Sequence, residues 1–225
     1  MAERHILAAG GGWLAPERRA LDELIAGLTG KERPRICYLP TATGDAAEAT
    51  LGFYASLGGR AETSHLDLFV REVADLRSFL LSQDAIYVAG GNTANALAVW
   101  RVHGVDAILR EAWEAGIVLA GASAGMICWF ECSVTDSFGA LAPLHDGLGF
   151  LAGSACPHYD GEPERRPTYT RLLADGFPAG LAADDGVALH FSGTELEEVV
   201  SWRPGARAYR VWPGGETPLD ARLLL

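Results

Sequence analysis

Short apolar runs alternating with longer segments of helical period constrain this chain more than any other feature. His5-Ile6-Leu7-Ala8-Ala9, Arg35-Ile36-Cys37-Tyr38-Leu39, Ala85-Ile86-Tyr87-Val88-Ala89 and Ile117-Val118-Leu119-Ala120 are too short for helices and apolar at consecutive positions. That is how strands buried on both faces read. Between them, Pro16 can open a helix whose Leu21, Leu24, Ile25 and Leu28 share one face before Gly30 ends it. Further helices are expected over 45–57, 72–81, 92–102 and 105–115, with another strand within 61–69. Strand and helix in alternation predict an α/β fold, a mostly parallel sheet flanked by helices.

Beyond Ser133 the regularity fades, and the Gly- and Pro-rich stretch 139–167 reads as loops carrying functional groups. The last third offers strand-like runs over 187–191, 195–202 and 206–212. Ser192-Gly193-Thr194 and Pro204-Gly205 between them predict antiparallel strands at the C-terminal end. With 225 residues and no low-complexity linker, a single domain over 1–225 is expected.

Composition excludes several classes. The formal net charge of −11, from 29 acidic and 18 basic residues with Lys31 the one lysine, would repel a nucleic-acid backbone or an anionic membrane. The apolar start of the chain breaks at Gly10-Gly11-Gly12 and lacks a secretory h-region, and the uncharged stretch 116–130 is too short to span a bilayer. A cytoplasmic protein is expected. Cys37, Cys128, Cys132 and Cys156 have no disulfide-framework spacing and read as buried thiols.

Two glycine-rich junctions could carry chemistry. Gly121-Ala122-Ser123-Ala124-Gly125 follows a strand and precedes a helical run, the G-x-S-x-G setting of a nucleophile elbow. The same small residues would also suit a tightly packed strand-to-helix junction. Gly90-Gly91-Asn92-Thr93 follows the preceding strand, so a parallel sheet brings it to the carboxyl edge that holds Ser123. Its glycine N–H groups could join that of Ala124 as oxyanion donors, with Asn92 or Thr93 capping the next helix.

A serine nucleophile needs a base. Of six histidines, His5 lies at a strand start, His65 and His103 near surface-like elements, and His145 in a loop beside Asp146. His190 alternates with apolar neighbours as a packed residue does. His158, in Cys156-Pro157-His158-Tyr159-Asp160, opens a polar segment and is the best candidate. For the acid that orients it, Asp185 and Asp136 are both credible, and spacing does not choose between them.

GGNT after one strand, GASAG after the next, Pro157-His158-Tyr159 downstream and Asp184-Asp185-Gly186 before a late strand together resemble the peptidase E family. With cyanophycinase, that family forms a group of serine peptidases on a class I glutamine amidotransferase-like, flavodoxin-like sheet. The resemblance runs from His5 to about Phe191. It implies Ser123 as nucleophile, His158 as base, and the N–H groups of Gly91 and Ala124 as the oxyanion hole. It implies an acid at Asp185, favoured because its segment precedes a strand, with Asp136 the alternative.

In that family an arginine beyond the histidine contributes to a preference for dipeptides with N-terminal aspartate. The loop here is shorter, and Arg165 or Arg166 is the expected carboxylate ligand. Gly90, Asn92, Thr93 and Tyr159 complete the expected substrate-binding set. The expected reaction is acyl transfer with neither metal nor cofactor, on a small peptide substrate; a homodimer is compatible with the sequence. Rival readings are a carboxypeptidase-like or β-aspartyl-polymer peptidase, an α/β-hydrolase esterase, and a non-catalytic ligand-binding homologue. A glutamine amidotransferase is disfavoured because serine, not cysteine, stands at the elbow.

Overall fold

The structure, a computed structural model, describes residues 3–12, 19–57 and 59–224. The first half alternates as the sequence pattern requires. β1 (His5–Ala9), α1 (Arg19–Leu28), β2 (Arg35–Leu39), α2 (Ala47–Leu57), β3 (Glu62–His65), α3 (Leu76–Leu81) and β4 (Ala85–Val88) lead to α4 (Thr93–His103), α5 (Val105–Glu114) and β5 (Val118–Ala122). The predicted helix start at Pro16 lies outside the described residues. The helical run expected after Ser123 is the four-residue α6 (Ala124–Ile127), beyond which the chain turns into β6 (Phe130–Thr135).

The second half corrects the expectation of a loop region. β7 (Ala142–Leu144), β8 (Leu151–Cys156), α7 (Arg165–Ala174) and β9 (Gly180–Ala183) precede β10 (Val187–Ser192), β11 (Glu195–Ser201), β12 (Ala208–Trp212), β13 (Gly215–Leu219) and β14 (Arg222–Leu223). The strands form two sheets, β14-β11-β10-β1-β5-β4-β2-β3 and β13-β12-β9-β8-β6-β7. In the first, β1, β5, β4, β2 and β3 run parallel, while β10 pairs antiparallel with β1 and β11 antiparallel with β10. In the second, β6, β8 and β9 run parallel, and β12 leaves the C-terminal antiparallel pair to join β9. Loop-like composition hid β7 and β8 because Pro143 in the one and Gly153 in the other interrupt any period-2 pattern.

In the first sheet, β1, β2, β4 and β5 are apolar and buried at nearly every position, as strands covered on both faces are. Its core continues through Trp100, Trp113, Trp129 and Phe150, whereas a smaller cluster around Val134, Cys156, Tyr169 and Leu173 lies under the second sheet. Among the described residues, no helix is long and apolar enough to cross a membrane.

Candidate active site

Five parallel strands deliver their carboxyl ends to one place. β4 ends at Gly90-Gly91 and β5 at Ser123, and the second sheet contributes the segments after β6, β8 and β9. Because Ser133 pairs with Ala155, and Cys156 with Ala182, continuing the register sets Asp136, His158 and the Asp184-Asp185 pair on three adjacent strand ends. His158 therefore has an acid on each side. This is why the sequence offered two acids and could not choose between them.

The geometry chooses one contact. His158 Nδ1 lies 2.6 Å from Asp185 Oδ1, and its Nε2 lies 2.8 Å from Ser123 Oγ. Asp136 instead stands 3.7 Å from an Arg165 nitrogen, with its own side chain more than half exposed. Ser123 sits at φ 55° and His158 at φ 51°, left-handed positions uncommon for residues with a side chain. At Ser123 that dihedral forms the sharp elbow: its N–H still continues the ladder to Ala9 O at 2.9 Å, while its carbonyl accepts from the Met126 and Ile127 N–H groups at 2.9 and 3.0 Å. The hydroxyl is thereby lifted above the sheet edge.

Glycines set how closely these groups approach. A Cβ on Gly121 would lie 2.5 Å from Gly125 O, and one on Gly125 2.3 Å from Val88 O, so both glycines of G-x-S-x-G are demanded by packing. The elbow and the tight junction are one structure here. Gly11, read from the sequence only as a strand terminator, lies under the imidazole, where a Cβ would come within 2.4 Å of His158 Nδ1 and 2.0 Å of Asp185 Oδ1. The His158 N–H also donates to Gly10 O at 3.1 Å. The signal was present in the triple glycine directly after a strand.

On the other side of Ser123, Gly91 holds φ 129° and rests on the turn Thr41–Thr43, where a Cβ would meet Ala42 O at 2.3 Å. Asn92 caps α4 by accepting from the Asn95 N–H at 2.9 Å, and its amide nitrogen donates to Ser137 O at 2.9 Å. Thr93 is buried in the first turn of α4. Ala124 opens α6, where a helix leaves its first N–H groups without an intrahelical acceptor.

A cleft of about 230 Å³ is lined by Gly91, Asn92, Ser123, Asp136, Ser137, His158, Glu162 and Arg165. Arg165 is almost fully buried, with Nε 2.7 Å from Glu162 Oε2 and Nη1 donating to Val134 O at 3.1 Å. Arg166 does not line this cleft. Its guanidinium lies over the rings of Tyr159 and Tyr209 at 4.6 and 4.8 Å and faces Glu216 at 3.5 Å. Tyr159 likewise turns away: it is buried, donates to Glu216 at 2.7 Å, and has its phenol pKa pushed up by burial and by that carboxylate. Of the expected substrate contacts, Gly90, Thr93, Tyr159 and Arg166 do not line this cleft: Gly90 packs against Ala122 and Ser123, Thr93 is buried in α4, Tyr159 bonds Glu216, and α7 turns one of the two consecutive arginines inward and the other out.

Sequence reasoning missed the support behind the acid. The Asp185 N–H donates to Asp160 Oδ1 at 2.9 Å, and Arg203 bridges the two by donating to Asp185 O at 2.8 Å while its Nη2 pairs with Asp160. Burial raises the Asp160 pKa, but the bonds from Arg203 and the Asp185 amide outweigh it and hold the carboxyl below its usual value. Arg203 is far away in sequence and belongs to no motif.

Residues 6–199 match the family described as Peptidase family S51. Among curated proteins, the uncharacterized peptidase YgaJ of Bacillus subtilis (strain 168) is 49% identical over 98% of this chain and 99% of its own length. Peptidase E of Shewanella denitrificans is 27% identical over 63% of this chain and 64% of its own. Among solved structures, a peptidase from an acI-B1 Actinobacterium superposes with a TM-score of 0.70 at 21% identity, covering 97% of this chain and 95% of that one. A putative peptidase E protein from Listeria monocytogenes EGD-e gives 0.63 at 18% identity, over 93% and 100%. These two likenesses show the fold.

Proposed function

This chain belongs to peptidase family S51, and we propose that it is a serine-type peptidase acting on short peptides, with Ser123 as nucleophile, His158 as general base and Asp185 as the orienting acid. One observation carries the reading. Ser123 Oγ, the His158 imidazole and Asp185 Oδ1 form an unbroken chain of contacts at 2.8 and 2.6 Å on the wall of an open cleft. Asp185 accepts from Nδ1–H, which leaves Nε2 as the acceptor for the serine proton. Oγ then attacks the peptide carbonyl carbon, the N–H groups of Gly91 and Ala124 stabilise the oxyanion, and His158 returns the proton to the leaving amine. Water, deprotonated by the same nitrogen, releases the acyl group.

For specificity we propose peptides with an acidic residue, dipeptides with N-terminal aspartate foremost. Arg165 supports this: it is the cleft's guanidinium, and its 3.7 Å contact with exposed Asp136 is the one a substrate carboxylate could replace, leaving the Glu162 bond in place. The same residues favour a second reading, a peptidase of identical chemistry and different specificity, because Arg165 already faces two carboxylates. We also assign the protein to the cytoplasm, which its four free, buried cysteines suit.

The test is a panel of Asp-X, Glu-X, X-Asp and neutral dipeptides run with the parent and with Ser123→Ala. The parent should cleave Asp-X fastest, and the variant should lose turnover by on the order of 10⁶. Parent-level cleavage by Ser123→Ala would sink the mechanism. A parent that prefers neutral or C-terminally acidic peptides would replace the specificity while leaving the mechanism intact.

A further inference from the structure

At the edge of the eight-stranded sheet opposite Ser123, two imidazoles meet. His5 opens β1, about 13 Å along the strand from the active-site edge. On β10, Ser192 pairs with His5 and His190 with Leu7, so His190 lies two residues from the partner of His5 and on the same face. His5 Nδ1 and His190 Nε2 are 3.1 Å apart. Opposite them β11 is irregular: the register slips between His190 and Phe191, pairing these with Glu198 and Leu196 and leaving Glu197 as an extra residue. Both glutamates approach His190 as a result, with carboxylate oxygens 3.8 Å (Glu197) and 3.6 Å (Glu198) from its Nδ1.

A contact between two neutral imidazoles does not account for this arrangement. His190 is only 4% exposed, and among the described residues its Nδ1 has no hydrogen-bond partner. If Nε2 accepts from His5, then Nδ1 carries a proton whose nearest acceptors are too distant. If Nε2 donates, Nδ1 is a bare lone pair facing carboxylates. Neither tautomer satisfies the ring. Glu198 is already engaged by Arg222 through two bonds of 2.9 and 2.8 Å, whereas Glu197 is half-exposed and free to turn inward.

We propose that His5, His190 and Glu197 form a binding site for a divalent transition metal of the Zn²⁺ class. One ligand atom from each lies within 4.8 Å of the others. Two ligands on a tetrahedral zinc, each at about 2.0–2.1 Å, stand roughly 3.3 Å apart. The imidazole pair, 3.1 Å apart, is already near that spacing, and turning the half-exposed Glu197 side chain inward brings a carboxylate oxygen to the set. Two imidazoles and one carboxylate suit a borderline ion such as zinc better than Mg²⁺ or Ca²⁺, which take oxygen ligands. Bound there, the ion would tie β1, β10 and β11 together far from the catalytic residues and independently of the proposed reaction.

The full-length protein, stripped with EDTA and dialysed, is titrated with Zn²⁺ by calorimetry and with Co²⁺ by visible absorption, alongside His5→Asn and Glu197→Gln. The parent should take up one ion per chain, show a tetrahedral Co²⁺ spectrum, and melt at a higher temperature with Zn²⁺ present. Each substitution should weaken binding by at least about 100-fold, beyond the loss that follows removal of an outer-shell partner. Glu197→Gln changes a half-exposed side chain, so its folding is not at issue. No uptake by the parent, or uptake that both variants retain at parent affinity, would overturn the site.

Discussion

Asp185 and Asp136 flank His158 on neighbouring strand ends, yet they face different partners, and each predicts a different kinetic signature. Asp185 holds the imidazole through a 2.6 Å contact, so Asp185→Asn would leave the ring in the wrong tautomer. In such a site kcat should fall by on the order of 10⁴ with KM little changed. Asp136 touches Arg165 and not the ring, so Asp136→Asn should keep kcat within about tenfold and alter KM for acidic peptides, because it removes the carboxylate that a substrate would displace. Steady-state kinetics of both variants on one dipeptide decide the matter. A large kcat loss in Asp136→Asn with near-parent Asp185→Asn would exchange their roles. The same contrast explains why Arg165 and Arg166, adjacent in sequence, part company: one is buried beside the cleft and the other lies over two tyrosine rings.

At the scale of elements, the elbow and the acid segment are held by different forces. The elbow depends on backbone contact between β5, α6 and β4, so Gly125→Ala should destabilise the fold by about 1–3 kcal/mol through overpacking against Val88 O, read as a lower urea midpoint with unchanged m. An unchanged midpoint would mean that α6 can shift without cost. The acid segment after β9 depends on charge, since Asp160 accepts from the Asp185 amide and pairs with Arg203. Its pKa in the fold lies below the unfolded value of 3.8. The unfolded chain therefore binds the proton more readily, and the stabilisation is complete above about pH 4 and is lost as pH falls through the lower, folded value. The parent should thus lose stability more steeply than Asp160→Asn below pH 4, and parallel curves in acid denaturation would refute the role given to Asp160. β1, β2, β4, β5, Ser123 and His158 were legible because each sits in or just after a short run of apolar or small residues closed by glycine or proline. β7 and β8 were not, because Pro143 and Gly153 break their alternation, and Arg203 was not, because its partner lies 43 positions away in sequence.

Across the whole molecule, two sheets converge their parallel strand ends on one cleft, and the cysteines lie in the packed layers behind it. Cys37, Cys128 and Cys156 are fully enclosed, and burial pushes the thiols of Cys37 and Cys156 up to about 12 and that of Cys128 well above its ordinary value. Cys132 is 8% exposed and its thiol is raised as well, by burial and then by Glu131. A thiol with a pKa near 12 holds on the order of 10³ less thiolate at pH 8 than a free cysteine, and the surrounding core also keeps reagent away. Native protein at pH 8 should therefore react with a disulfide reagent slowly and at Cys132 first. All four thiols should be titrated promptly once denaturant opens both cores. Because Cys37 belongs to the larger core and Cys156 to the smaller, mass mapping of partly labelled protein at intermediate denaturant also tests whether the two sheets open together. Simultaneous labelling of Cys37 and Cys156 is the result expected of one cooperative unit, and labelling of Cys156 well before Cys37 would mean that the sheet carrying His158 and Asp185 unfolds on its own.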